Sequence, residues 1–396
     1  MLEKLKRLPD DPILGMMAKF REDPSPLKVD LAAGVYQDER GNTPVLRAVT
    51  AAEQRVHDLQ ETKTYEGLVG NVSFNAAMQN LVLGERHAAI SDQRVVTVQT
   101  TGGSGGLHIV AEVLRRANNK PVVWLSGPTW PNHRPLIQGG GLEFKIYPYY
   151  DTERHRIDFD GMLTTLAAAQ AGDVVLLHGC CHNPTGADLS HEQWDSLVDV
   201  LERRELVPWT DMAYQGLADS VDADAYGVRL CAERLPESIA VTSCSKNFGV
   251  YRDRVGSASI VAPDETTAAA CASHLANVTR TVYSMPPAHG AAVIDTILRD
   301  TELKSAWLAE LGEMRDRINN LRRNLAESLA NKTGTGRFAF IARQTGMFSL
   351  LGLSTEQVNR LREEFHVYMV SSSRANIAGV RRTNLDYLSD AIVAVL

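Results

Sequence analysis

Ile239-Ala240-Val241-Thr242-Ser243-Cys244-Ser245-Lys246-Asn247 is an apolar, β-branched run that gives way to small hydroxyl residues around one lysine. The run reads as a buried strand, with the lysine just past its end. Downstream, Arg254 lies in Tyr251-Arg252-Asp253-Arg254, and Ser257 to Val261 reads as another strand. Upstream, the strand-like Leu206 to Trp209 leads to Asp211-Met212-Ala213-Tyr214. Val174 to Leu177 leads in the same way to His182-Asn183-Pro184-Thr185-Gly186, and Val122 to Leu125 is a further short apolar run. Amphipathic stretches separate several of these. Ser190-His191-Glu192-Gln193 is a capping box, followed by Trp194, Leu197, Val198 and Leu201 at helical spacing. Continuous apolar strands alternating with helices predict an α/β fold with a mostly parallel sheet flanked by helices. Ligands in such sheets bind beyond the C-terminal strand ends, where Asp211, Ser243 and Lys246 fall.

Beyond about residue 300 the pattern changes to a long helical stretch, Glu302 to Leu329. Strand-like Arg337 to Ala342 and Met347 to Leu351 follow, then a helix from Thr355 to Phe365 and a short strand from Val367 to Val370. This predicts a smaller α+β domain. The expected division is an N-terminal arm and first part of the small domain over 1–45, a large domain over 46–300, and the small C-terminal domain over 301–396.

A chain of 396 residues exceeds one simple core. The net charge of −7, with no long basic run, argues against nucleic acid as the main partner. Met1 to Lys6 has no apolar signal region, and no apolar stretch approaches the roughly 20 residues of a membrane span. Five cysteines without CxxC spacing read as reduced thiols of a cytoplasmic enzyme. His178, His182 and His289 show no paired ligand spacing, so no metal is assigned.

The chemistry follows from residue types and their order. A lysine amine attacks carbonyl carbon to form a Schiff base, an acid pairs with a pyridinium nitrogen, and hydroxyl and guanidinium groups bind phosphate. Lys246, Asp211, Ser243 and Arg254 supply that set, which points to pyridoxal phosphate. Taken alone, Lys246 reads as a surface lysine and Asp211 equally as a helix cap. Tyr214 is placed to reach the same ring, and Asn183 the phenolic oxygen. Thr101-Gly102-Gly103-Ser104-Gly105-Gly106 opens an amphipathic helix, where backbone N–H groups and the helix N-terminus favour an anion. The full dinucleotide fingerprint and the P-loop Gly-Lys-Ser/Thr are missing. Trp130 could stack on a flat ring, and His133 could orient Asp211. Arg374 and Arg280 are suited to carboxylates.

With these residues in view, the chain resembles a class I, fold-type I aminotransferase of the aspartate and aromatic-amino-acid branch. The resemblance covers essentially the whole chain. It rests on Gly34-Val35-Tyr36, Lys63-Thr64-Tyr65, Trp130 to His133, His178 to Gly186, Ser243 to Gly249, Pro286 to Gly290 and Arg374 to Gly379. It implies a homodimer with active sites at the subunit interface and pyridoxal 5'-phosphate on Lys246. Asp211 would pair with the pyridinium nitrogen, and Asn183 and Tyr214 would hold the phenolate oxygen. Gly103, Ser104, Ser243, Arg254 and a partner-supplied Tyr65 would bind the phosphate. Trp130 would stack on the ring. Arg374, with Gly34 and Asn183, would grip the α-carboxylate of an amino acid or 2-oxo acid. Arg280, reaching over from the neighbour, would meet a side-chain carboxylate.

In aspartate-preferring bacterial relatives, the positions of Gln37, Thr64, Ser104 and Met285 tend to be lysine, asparagine, threonine and asparagine. The set here is less polar, which favours large apolar side chains. Val35 and Thr43 keep the aspartate-like residues. The expected reaction is therefore transamination from tyrosine, phenylalanine or aspartate to 2-oxoglutarate, with aspartate aminotransferase of little aromatic activity as the alternative. Rival readings on the same fold are β-elimination, decarboxylation and a cofactor-binding transcriptional regulator. Two arginines placed for two carboxylates favour transamination.

Overall fold

The apolar runs become strands because each can bury both faces under helices. The computed structural model describes residues 1–8, 11–117 and 121–396. Among these, seven strands form the main sheet: β1 (Val95–Thr101), β2 (Val123–Gly127), β3 (Phe144–Pro148), β4 (Val174–His178), β5 (Val207–Met212), β6 (Ser238–Ser243) and β7 (Val255–Val261). Their order is β1-β7-β6-β5-β4-β2-β3. Strand β7 runs antiparallel to β1 and β6, and every other pair is parallel. The reversal has a local cause: residues 244–254, between β6 and β7, form turns instead of a crossover helix. Lys246 lies in that turn segment.

Two strands were not legible in the sequence. On β3 only Tyr147 is buried, because β3 is an edge strand and carries Lys145 and Pro148. On β1 the polar Gln99 and Thr100 are buried at its sheltered end. The helix Gly102–Arg116 then packs Leu107, Ile109, Val110 and Ala111 into the sheet core with Val98, Leu125, Leu176 and Val241. Each such large side chain contributes about 1.5–3 kcal/mol by leaving water.

Contacts divide the chain into two compact units. One comprises Pro44–Asn183 and Ala187–Asp316, and the other Met1–Thr43, Pro184–Gly186 and Arg317–Leu396. The helix Thr301–Thr333 starts in the first and ends in the second. In the smaller unit, Val29–Asp30 pairs parallel with Val367–Tyr368, and Phe348–Leu350 pairs antiparallel with Arg374–Asn376. The strand expected at Arg337 to Ala342 is instead a turn leading into the short helix Phe340–Arg343. Phe338, Phe340 and Ile341 all pack into the core with Leu325 and Leu329, which an alternating strand face would not allow. Among the described residues, no helix is long and apolar enough to cross a membrane.

Candidate active site

Strand register sets the site. His178 at the end of β4 pairs with Asp211 on β5, and Met212 pairs with Thr242 on β6. The C-terminal ends of three adjacent strands thus bring a histidine, a carboxylate and the lysine-bearing turn to one sheet edge.

Asp211 is buried and held from behind. His133 Nε2 lies 3.1 Å from Asp211 Oδ2, and Thr129 Oγ1 lies 2.7 Å from His133 Nδ1. An imidazole facing a carboxylate carries a hydrogen on Nε2, and its Nδ1 is paired with the Thr129 hydroxyl. Burial works to raise the Asp211 pKa, but the His133 hydrogen bond and the nearby Lys246 charge outweigh it. The carboxyl is held below its usual range and stays ionised. Burial, helped by His133, pushes His178 down to about 3. Its ring is neutral, and neither ring nitrogen has a hydrogen-bond partner among the described residues. Donor atoms of His133, His178 and Asp211 lie within 4.8 Å of one another, a set that could hold a metal ion. The Asp211–His133–Thr129 chain already gives Asp211 Oδ2 and both His133 nitrogens hydrogen-bond partners. The sequence showed no spacing signal for this group, because its members come from a helix and two strands.

Lys246 Nζ lies 4.8 Å from the centre of the Tyr214 ring. The lysine turn is anchored from below: Trp307 Nε1 donates to the Asn247 carbonyl at 2.7 Å, and Phe248 stacks on Trp307 at 4.3 Å and 1°. Trp130 packs edge-on against His133, with ring centres 5.3 Å apart.

The start of the helix Gly102–Arg116 forms a cradle. Gly102 has φ +72°, and a Cβ there would come within 2.6 Å of Arg254 Nη2. A Cβ on Gly103 would come within 3.2 Å of the Ser243 Cβ. Arg254 is aimed by its own hydrogen bonds to the carbonyls of Tyr251 at 3.0 Å and Thr101 at 3.4 Å. The helix start, Ser243 and the Arg254 guanidinium therefore lie together, with Ser104 in the first turn of the helix. That donor set fits a phosphate monoester. Together with an ionised buried carboxylate and a lysine over a tyrosine ring, it fits pyridoxal phosphate.

Asn183 is buried in the loop after β4. Tyr65 is 90% exposed, on an open groove of about 860 Å3 that Thr64, Met285 and Pro286 also line. Arg280 donates to Ser284 Oγ at 2.7 Å and pairs with no acid among the described residues. In the smaller unit Arg374 is buried, donates to the Ala32 carbonyl at 2.9 Å and lies 4.3 Å from the Phe348 ring centre. Gly34 faces the same ring, since a Cβ there would sit 3.6 Å from it.

The residue and fold patterns define a lysine-dependent group-transfer enzyme on an α/β scaffold. Residues 26–392 match the family of class I and II aminotransferases, and the chain belongs to that family. It is 45% identical over 395 residues to an aromatic-amino-acid aminotransferase of Paracoccus denitrificans, covering 100% of both chains. It is 46% identical over 396 residues to an aspartate aminotransferase of Escherichia coli K12, again covering 100% of both. Among solved structures, it is similar to an aromatic-amino-acid aminotransferase of Burkholderia pseudomallei covalently bound to pyridoxal phosphate. The identity is 44% and the TM-score 0.97, over 100% of this chain and 99% of that one.

Proposed function

We propose that the enzyme transfers an amino group between tyrosine, phenylalanine or aspartate and 2-oxoglutarate, using pyridoxal 5'-phosphate. The observation that carries this is the buried, ionised Asp211 at one strand end beside the Lys246 turn at the next. When bound, the cofactor supplies an electron sink for charge developing at the substrate Cα.

Lys246 would hold the cofactor, and its free amine would take the substrate Cα proton on Nζ. Asp211 keeps a proton on the ring nitrogen, and His133 keeps Asp211 ionised and oriented. Asn183 and Tyr214 hold the phenolic oxygen, and Trp130 covers one ring face. Gly103, Ser104, Ser243, Arg254 and Tyr65 of the partner subunit hold the phosphate. Arg374 takes the α-carboxylate, with Gly34, Trp130 and Asn183 beside it. Arg280 of the partner subunit meets an acidic side chain. The enzyme works as a homodimer in the cytoplasm, with small amino acids and 2-oxo acids as its partners.

Similar identity to aromatic and aspartate enzymes leaves the preference to the pocket. Thr64 and Met285 on the open groove support the aromatic reading. Val35 and Thr43 support the alternative, an aspartate aminotransferase with little aromatic activity. The test is a panel of kcat/KM values for tyrosine, phenylalanine, tryptophan and aspartate with 2-oxoglutarate. Ping-pong turnover of aromatic donors is expected. Turnover of aspartate alone would establish the alternative.

A further inference from the structure

Apart from the Lys246 cluster, the larger unit contains a cavity of about 720 Å3. That is a usual size for a small-molecule site, about 300–1,000 Å3. Arg86, Arg229, Arg299 and Lys304 line it, against the acids Glu85 and Asp222. A basic cavity is a local reversal in a chain of net charge −7. Arg229 is fixed: it donates to the Val82 carbonyl at 3.0 Å and pairs with Asp222 at 2.9 Å. Arg299 donates to Ser73 Oγ at 2.7 Å and lies 3.9 Å from Asp295. Arg86 and Lys304 pair with no acid among the described residues. Leu81, Leu298 and Leu308 supply apolar surface between these charges, and Trp307 borders the cavity without exposed surface of its own.

Two walls of the cavity are tied to residues beside the reacting groups. Trp307 is buried and donates to the carbonyl of Asn247, the residue after Lys246. On another wall, the Leu81 and Val221 carbonyls accept from Gln215 Nε2 at 3.0 and 2.9 Å. Gln215 is buried and follows Tyr214.

We propose that this cavity binds a small anionic metabolite with two or more phosphate or carboxylate groups, and that its occupancy alters turnover through Trp307 and Gln215. The second half rests on the role assigned to Lys246 above. Guanidinium groups match both anion types, and a concave wall with an excess of basic groups, four against two acids, concentrates them. Coupling then follows from linkage: a ligand that favours one placement of Trp307 biases the lysine turn bonded to it.

The test titrates the cofactor-loaded enzyme with pyrophosphate and, separately, with citrate, at low salt and by calorimetry. At least one probe should bind, and the tighter one identifies the anion class. Arg86→Ala/Lys304→Ala should weaken that binding by about tenfold or more while leaving basal turnover unchanged. Saturating probe should change kcat/KM by about fivefold. Trp307→Phe keeps the stacked ring but loses the N–H to Asn247, so it should bind the probe and lose the kinetic response. No binding of either probe at millimolar concentration, or equal binding by the double variant, overturns the site. Binding without a kinetic response overturns the coupling. Calorimetry needs no turnover, so an enzyme that binds the probe but does not transaminate overturns the assigned reaction and leaves the site standing.

Discussion

At the residue scale, the proposed chemistry rests on Lys246, and its neighbours set its surroundings. Lys246→Ala should lower kcat by on the order of 10⁴-fold or more, since it removes both nucleophile and base. The fold should survive, because Trp307 and Phe248 anchor the turn without the amine. Borohydride treatment of the cofactor-loaded wild type should label the peptide containing Lys246, and a label elsewhere would refute the assignment. His178 gives a pH prediction. Its pKa falls from the ordinary 6.5 to about 3 on folding. Between those values the unfolded chain binds the extra proton, so stability falls as pH drops below 6.5 and is fully regained above it. Buried His182, also held below its ordinary value by burial, acts in the same direction. The urea midpoint should be lower at pH 5 than at pH 7.5, and His178→Gln should shrink the difference. An unshrunk difference would mean that His178 is already charged in the folded protein.

At the element scale, two acceptor–donor ties between distant segments matter more than local propensity. The helix Arg47–Leu59 has no side-chain cap of its own. Glu310 supplies one from the helix Thr301–Thr333, accepting from the backbone N–H groups of Arg47 at 2.8 Å and Ala48 at 3.0 Å. Glu310→Ala leaves both donors without that acceptor and should cost about 1–3 kcal/mol, read as a lower urea midpoint at unchanged slope. Glu310→Gln keeps one acceptor and should cost less; equal losses would show that packing, not capping, is responsible. In the smaller unit the buried Arg322 donates to the carbonyls of Gly346, Thr345, Phe348 and Ile341 and to Ser349 Oγ. One guanidinium thereby satisfies the backbone around the strand Phe348–Leu350. Neither tie was legible in the sequence, where Glu310 and Arg322 read as ordinary polar positions of a long helix. The capping boxes at Ser190 and Ser354 are local, and the one at Ser190 was read directly.

At the scale of the whole molecule, the proposed dimer makes a test available that no single chain allows. Tyr65 and Arg280 are proposed to serve the partner's site. Mixing inactive Lys246→Ala dimers with Arg280→Ala dimers should therefore create one site with both groups native. Dicarboxylate activity should return to a fraction of wild type after subunit exchange. No recovery after verified exchange would place Arg280 outside the partner's site. In the Arg280→Ala dimer alone, kcat/KM for aspartate should fall by about 2–5 kcal/mol of lost charge pairing, with little change for phenylalanine. Equal losses for both donors would make Arg280 structural.

The sequence by itself determined the strand-then-residue pattern. Lys246, Asp211 and Asn183 each follow an apolar run, and alternation with helices implied a mostly parallel sheet. Caps, glycine-rich helix starts and strand runs were readable because each depends on residues a few positions apart. Only the tertiary structure decided what depends on register and burial between distant segments. His133 meets Asp211 across 78 positions, and Trp307 meets Asn247 across 60. His178 is paired with Asp211 by strand register, which no local spacing encodes. The edge strand β3 escaped notice because an exposed edge needs no apolar pattern. The apolar stretch at Phe338 to Ile341 folded as turn and helix because the surrounding core accepted three of its side chains on one side. Short apolar runs fit either backbone, and the packing around them decides.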